Sequence, residues 1–437
     1  MIESRLAWLD EHVDLEQLAA GRVPPPDLER MRELAAWLGD PQDAFPVVHI
    51  TGTNGKTSTA RMTAALLEAT GLSVGLYTSP HLERVHERIA WNGSSITDAQ
   101  LAEVLHAVEL AEQQVGRRMT YFELLTAAAF RFFADLAVDV AVVEVGLGGT
   151  WDATNIVHGA VAVVTNVSID HVAYLGSTTA SIAAEKAGII EAGASLVLGE
   201  PDPELSAIFE SRGPGTILRR NVDFGVTTSE VALGGRSIEL FTPGGHHECF
   251  LPLHGAHQAD NAALALAAAE QFAGGRAFAE ALVSEGFERV RVPGRMEAMA
   301  RRPLVLLDGA HNVAGIEVLN EALEEAFATG PRTLVVGLLA EKDPAEMLDA
   351  LDVTSAEHLV VCRPPSPRAR DPHDLLAAAV QLGLPRDRID VAETPAAALE
   401  RARALTPPEG QVVVTGSLYL VGSIRAAMAG ATPPEPS

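Results

Sequence analysis

The run Thr51-Gly52-Thr53-Asn54-Gly55-Lys56-Thr57-Ser58 combines two glycines, one lysine and four hydroxyls. Glycines let successive backbone N–H groups turn toward one anion. Lys56 can reach the β/γ-phosphates of a nucleotide, and a hydroxyl just after it, on Thr57 or Ser58, can bind Mg²⁺. A strict phosphate-loop pattern needs glycine at position 50, where this chain has Ile50, so the loop is a variant. A nucleotide loop also needs a metal-binding acid. Glu144 closes the apolar run VDVAVVEV and precedes Gly146, Leu147, Gly148 and Gly149. A carboxylate there, at the C-terminal end of a buried parallel strand, is placed to hold Mg²⁺. His171 follows Asp170 beyond the next strand, and Lys186 lies in SIAAEKAGII. Taken alone, such a histidine is structural and such a lysine is a solvated helical residue.

These residues need elements to carry them. FPVVHI (45–50), the glycine loop and STARMTAALLEAT (58–70) read as strand, loop and helix. VDVAVVEV (138–145) and AVAVVTNV (160–167) are continuous apolar runs, as in a parallel sheet buried on both faces. The segment 235–252 alternates and predicts an antiparallel hairpin. A second series, PLVLLD (303–308), TLVVGLL (333–339), EHLVVCR (357–363) and QVVVTG (411–416), is spaced by alanine- and leucine-rich helical stretches. That predicts a smaller doubly wound α/β domain. RVRVPGRME (289–297) reads as the linker, giving domains 1–295 and 296–437. The first forty residues read as helices broken by Pro24, Pro25 and Pro26, and ATPPEPS (431–437) as a frayed tail. No internal repeat is present.

Composition excludes several classes. The chain has 437 residues, 47% of them hydrophobic, which predicts two or three globular domains rather than disorder. With 58 acidic and 32 basic residues the net charge is −26, which repels polyanions and argues against nucleic-acid binding. Two cysteines build no disulfide framework, as expected of a reducing cytoplasm. The acidic N-terminal stretch has no signal-peptide pattern, and no apolar run is long enough to span a membrane.

Nine segments occur in an order that resembles a known family: GTNGKTST (52–59), TSPHLERVHERI (78–89), TYFELLTAAAF (120–130), EVGLGGTWDATN (144–155), SIDHVAYLG (168–176), EKAGI (185–189), PGRMEA (293–298), LLDGAHNVAGI (306–316) and VTGSLYLVGSI (414–424). They resemble the folylpolyglutamate synthase/dihydrofolate synthase family within the Mur ligase superfamily, over nearly the whole chain. The resemblance implies a P-loop ATPase-like N-terminal domain, a Rossmann-like C-terminal domain, and ATP-driven amide formation with L-glutamate on dihydropteroate or tetrahydrofolates. It implies one Mg²⁺ at the loop hydroxyl and Glu144, and a second near Ser79, Glu144 and His171. Lys186 matches a lysine carbamylated in many members, where the carbamate replaces a missing metal-binding acid. Thr53, Asn54, Gly55, Lys56, Thr57, Ser58, Asn261, Arg295 and Asp308 match ATP contacts. His311 and Ser417, with Lys56, Lys186 and Asp308, match positions implicated in catalysis or glutamate capture. Thr120, Asp152, Ala153 and Asn155 match the pterin-binding region. A cytoplasmic monomer is implied.

The chain departs from the family in three places. Most members read GKG then Ser or Thr, whereas Thr57 then Ser58 stand here. Thr150 replaces the arginine of GGRxDATN, and PPPDLER (24–30) keeps only a trace of the usual N-terminal pterin segment. The alternatives are a monofunctional folylpolyglutamate synthase, a muropeptide-type amino-acid ligase, or a non-catalytic nucleotide switch.

Overall fold

Each apolar run becomes a short strand because it is buried on both sides and rich in β-branched residues. The computed structural model describes residues 2–14, 28–327 and 330–430. Pro24, Pro25, Pro26 and the C-terminal tail lie outside them. β1 (Val47–Thr51), β2 (Val74–Tyr77), β3 (Ile89–Trp91), β4 (Ser94–Ser95), β5 (Val140–Glu144), β6 (Gly159–Val164), β7 (Ser195–Leu198) and β8 (Thr216–Arg219) form one sheet, in the order β4-β3-β2-β5-β1-β6-β7-β8. All neighbours from β2 to β8 are parallel, and β3 and β4 add an antiparallel edge.

The register does the positioning. Ile50 of β1 lies opposite Glu144 of β5 and Val163 of β6. The loop after Thr51, the Glu144 carboxylate and the segment after Val164 therefore leave the sheet at one edge, the carboxyl edge where such sheets take ligands. Phe45, Phe130, Phe133 and Leu124 pack the helices Asp98–Val115 and Tyr121–Asp135 on Val47, Ala141 and Val143. The helices Lys56–Ala69 and His257–Phe272 pack against one another and against this sheet.

β9 (Gly225–Ala232), β10 (Gly235–Thr242) and β11 (Gly245–Leu251) make an antiparallel sheet. The expected hairpin is β10–β11. β9 escapes the sequence because its outward positions are polar and half its residues are exposed. The third sheet runs β12-β13-β17-β14-β15-β16, from β12 (Glu297–Arg301), β13 (Leu304–Leu307), β14 (Arg332–Val336), β15 (His358–Cys362), β16 (Ile389–Ala392) and β17 (Gln411–Thr415). All its pairs are parallel except β12–β13. The stretch read as linker thus ends inside β12, a half-exposed edge strand whose charged Glu297 and Arg301 hide the strand pattern.

The chain forms two compact units. One holds the described residues up to Pro252 together with His257–Arg291. The other holds Leu253–Ala256 and the described residues from Val292 onward. No described helix is long and apolar enough to cross a membrane.

Candidate active site

The loop from Thr51 to Lys56 owes its shape to two glycines. Gly52 has φ +148°, and a side chain there would collide with the Thr165 hydroxyl. Gly55 has φ +84° and caps the Lys56–Ala69 helix, and a side chain there would strike the Asn261 amide. Asn261 lies in the first turn and a half of the His257–Phe272 helix, facing the loop. Its Nδ2 donates to Gln258 Oε1 at 3.1 Å.

The continuation of β6 grips this loop. The N–H of Thr53 donates to Asn166 O (2.9 Å), and that of Asn54 to Asn166 Oδ1 (3.0 Å). Thr165 Oγ1 donates to Asn54 O (2.6 Å), and the Ser168 N–H donates to Thr53 Oγ1 (3.0 Å). Sequence reasoning missed Thr165, Asn166 and Ser168 as loop anchors. The available signal was a polar TNVS run leaving an apolar strand beside the phosphate loop.

Two lysines converge on one carbonyl. Lys56 Nζ donates to Gly52 O and Thr53 O, both at 3.1 Å, and Lys186 Nζ donates to the same Gly52 O at 2.8 Å. Lys186 ends the Thr179–Lys186 helix and is 3% exposed, which overturns the solvated-lysine reading. Burial first, and the Lys56 charge second, hold its pKa well below the usual lysine value, against the pull of Asp170, Asp152 and Glu185. The neutral amine is thereby favoured.

Glu144 is buried and accepts Thr57 Oγ1–H, with both oxygens in reach at 2.8 and 3.0 Å, and the Ser79 N–H at 3.2 Å. Thr57 is thus the hydroxyl that meets the acid, while Ser58 is buried one residue along the helix. A hydroxyl and a carboxylate are hard oxygen donors and fit Mg²⁺. No group of three His, Cys, Asp or Glu among the described residues could hold a metal. A magnesium ion would therefore complete its shell with water and phosphate oxygens, as it commonly does.

His171 has φ +49° and a half-exposed ring, 4.0 Å from the buried Asp170 carboxylate. With Gly52, Lys56, Asp170 and Lys186 it lines one pocket.

The pterin-region residues act as fasteners. Asp152 caps a short turn containing Ala153 and accepts from the Leu147 N–H (2.8 Å), the Thr154 N–H (3.0 Å) and Thr154 Oγ1 (2.5 Å). Because the Thr154 hydroxyl proton goes to Asp152, His49 Nε2 on β1 must donate to Thr154 Oγ1 at 2.9 Å. Burial lowers the His49 pKa to about 3, so this link stays neutral. Asn155 Nδ2 bridges Thr150 O (3.1 Å) and Gly188 O (3.2 Å). The N–H and hydroxyl of Thr150 both donate to Glu185 O (3.0 and 3.1 Å). The arginine replacement is thus absorbed by a backbone contact next to Lys186. Thr120 caps the Tyr121–Asp135 helix in a capping box with Glu123, whose carboxylate also takes a forked pair from Arg30.

The second unit has its own cluster. Asp308 is buried at the end of β13, where Oδ2 accepts the Met296 N–H (2.9 Å) and Oδ1 the Ala310 N–H (2.8 Å). Burial raises its pKa, with Arg295 and these two N–H groups opposing. Gly309 leaves room for the Arg295 guanidinium. His311 Nδ1 donates to Gly309 O at 2.9 Å, leaving Nε2 as the basic nitrogen. Ser417 caps the Leu418–Met428 helix through the Tyr419 N–H.

Comparison with known proteins defines the class first. Residues 50–269 match the Mur ligase middle domain, and residues 294–418 match the Mur ligase, glutamate ligase domain. The dihydrofolate synthase/folylpolyglutamate synthase of Mycobacterium tuberculosis is 40% identical over 95% of this chain and 92% of its own length. The structure of Mycobacterium tuberculosis folylpolyglutamate synthase complexed with ADP superposes with TM-score 0.90 at 37% identity, covering 99% of each chain. E. coli FolC in complex with DHPP and ADP gives TM-score 0.86 at 30% identity, covering 98% of each. The chain belongs to the dihydrofolate synthase/folylpolyglutamate synthase family of Mur ligases.

Proposed function

We propose that this protein is an ATP-dependent ligase that joins the amino group of L-glutamate to the carboxylate of dihydropteroate and of tetrahydrofolates. The observation that carries the reading is the convergence of Lys56 and Lys186 on the Gly52 carbonyl, beside a Thr57–Glu144 pair. Such a site serves phosphoryl transfer.

A carboxylate resists attack by an amine because its oxygen leaves poorly. One carboxylate oxygen therefore attacks the γ-phosphorus of ATP, the bond to the β-phosphate oxygen breaks, and ADP leaves. The glutamate nitrogen attacks the carbonyl carbon of the resulting acyl phosphate, and the C–O bond breaks to release inorganic phosphate. Lys56 and the N–H groups of the loop balance charge on the phosphates. Thr57 and Glu144 would hold a first Mg²⁺. Ser79, Glu144, His171 and a carbamylated Lys186 would hold a second. Bound magnesium supplies Lewis-acid stabilisation of charge on the transferring phosphoryl oxygens. The low proton affinity of Lys186 supports carbamylation, since only a neutral amine attacks CO₂.

Asp308 spends both oxygens on backbone N–H groups, so we assign it to placing Arg295 and the start of the His311 loop, and assign proton removal from the amine to His311. Asn261 and Arg295 complete the nucleotide contacts, and Ser417 the glutamate contacts. Thr120, Asp152, Ala153 and Asn155 border the pterin. The two buried free thiols, Cys249 and Cys362, suit a cytoplasmic setting, and the protein acts as a monomer.

The test is direct. Purified protein is incubated with ATP, Mg²⁺ and L-glutamate, with dihydropteroate in one tube and tetrahydrofolate in another, and product masses are read. One added glutamate on dihydropteroate and an extended tetrahydrofolate together support the bifunctional reading. Product with tetrahydrofolate alone makes the protein monofunctional. Product in neither tube, with turnover of a UDP-linked acid, makes it a muropeptide-type ligase.

A further inference from the structure

Arg295 stands between two residues in the left-handed region of the backbone map. Gly294 has φ +69°, which glycine adopts freely. Met296 has φ +46°, which a long apolar side chain adopts only under constraint. Such a conformation persists where its surroundings fix it from several sides. Three hydrogen bonds do so here. The Met296 N–H donates to Asp308 Oδ2 (2.9 Å), the Gly309 N–H donates to Gly294 O (2.8 Å), and the Gly294 N–H donates to Glu297 Oε2 (2.8 Å). Two carboxylates therefore hold the backbone on either side of Arg295. Asp308 has been described. Glu297 has no part in the chemistry above.

Glu297 is itself held. Arg425 Nε donates to its Oε1 and Oε2, at 3.1 and 2.9 Å. A carboxylate that takes a cation and a backbone N–H together has its orientation set from both ends. Arg425 belongs to the Leu418–Met428 helix, seven residues beyond Leu418. Residues at that spacing share one helix face. A side chain at Gly309 would strike both the Arg295 guanidinium and Leu418. One face of this helix thus meets the Arg295 loop at two points, through Leu418 and through Arg425. The cap of the same helix is Ser417. Both members of the pair are partly open to solvent, so removing one does not strand a buried charge.

We propose that Glu297 and Arg425 are positioning residues. They hold the Gly294–Met296 backbone in the conformation that aims the Arg295 guanidinium at the nucleotide, and they tie that arginine to the helix that Ser417 caps. The inference rests on the assignment of Arg295 to the nucleotide made above.

Steady-state kinetics of full-length E297A, R425Q, R295Q and E297A/R295Q test it, with thermal melts to establish folding. E297A is expected to raise KM for ATP about 10-fold, with KM for tetrahydrofolate within about twofold of wild type. R425Q shifts the ATP KM in the same direction by a smaller factor, because Glu297 still accepts the Gly294 N–H. In the R295Q background E297A adds less than about twofold, since no guanidinium is left to aim. A further loss of about 10-fold in that background shows Glu297 acting apart from Arg295 and overturns the proposal. So does a wild-type ATP KM in E297A, or a rise shared equally by ATP and tetrahydrofolate, which marks a merely structural role. If E297A does not fold, R425Q alone and with R295Q carries the same comparison. R295Q with an unchanged ATP KM overturns the Arg295 assignment and the proposal with it. Wild type inactive on both acceptors overturns the ligase reading beneath them.

Discussion

Glu144 and Asp308 are both buried carboxylates at the carboxyl ends of parallel strands, yet their surroundings differ in kind. Glu144 accepts from the Thr57 hydroxyl and one backbone N–H. The hydroxyl can rotate away and leave the acid to another cation. Among the described residues, Asp308 accepts only from the N–H groups of Met296 and Ala310, which the backbone fixes. A carboxylate with an exchangeable partner can bind a ligand, whereas one clamped by the main chain sets the shape of a loop. Residue type and position on the strand do not separate these two fates. The identity of the donors does.

Substitutions can break this contrast, and Glu144→Gln is the strongest. It is expected to lower kcat by about 10³-fold or more with an unchanged melting temperature. Thr57→Val should cost more turnover than Ser58→Ala, and the reverse order would transfer the metal-facing role to Ser58. Lys186→Met comes next and carries a signature in pH. With Lys186 uncarbamylated, its folded-state pKa is depressed, so between that value and the usual 10.5 the unfolded chain binds the extra proton. Stability in wild type therefore rises with pH through this window, and the Lys186→Met variant lacks that rise. Urea midpoints of both proteins from neutral pH to about pH 10 check it. Asp308→Asn sets an amide NH₂ against a fixed N–H donor and should destabilise the second unit by about 1–3 kcal/mol. Conservation of its full stability would contradict the clamp. Thr120→Ala removes a capping hydroxyl and should cost about 1 kcal/mol, seen as a lower melting temperature. A raised KM for dihydropteroate without that loss would instead make Thr120 a substrate contact.

Much of this was legible in the sequence because it is local. The glycine loop, the apolar strands and the acid at the end of β5 announce themselves in consecutive residues. The burial of Lys186 was not legible, since it depends on a helix end meeting a carbonyl 134 residues earlier in the chain. The grip of Thr165, Asn166 and Ser168 on the loop was hidden likewise, because it is set by strand register. The sequence also left Thr57 and Ser58 equivalent. Helix geometry distinguishes them, turning Thr57 toward Glu144 and burying Ser58. β12 and β16 were lost because short, half-exposed edge strands lack a strong apolar pattern.

The central claim is that ATP activates the substrate carboxylate by phosphorylating it. Dihydropteroate labelled with heavy oxygen in its carboxylate, turned over with ATP and L-glutamate, tests this most directly by the mass of the released phosphate. The account predicts one labelled oxygen per phosphate, with no labelled phosphate formed by the Glu144→Gln variant. Unlabelled phosphate released alongside ligated product would contradict it.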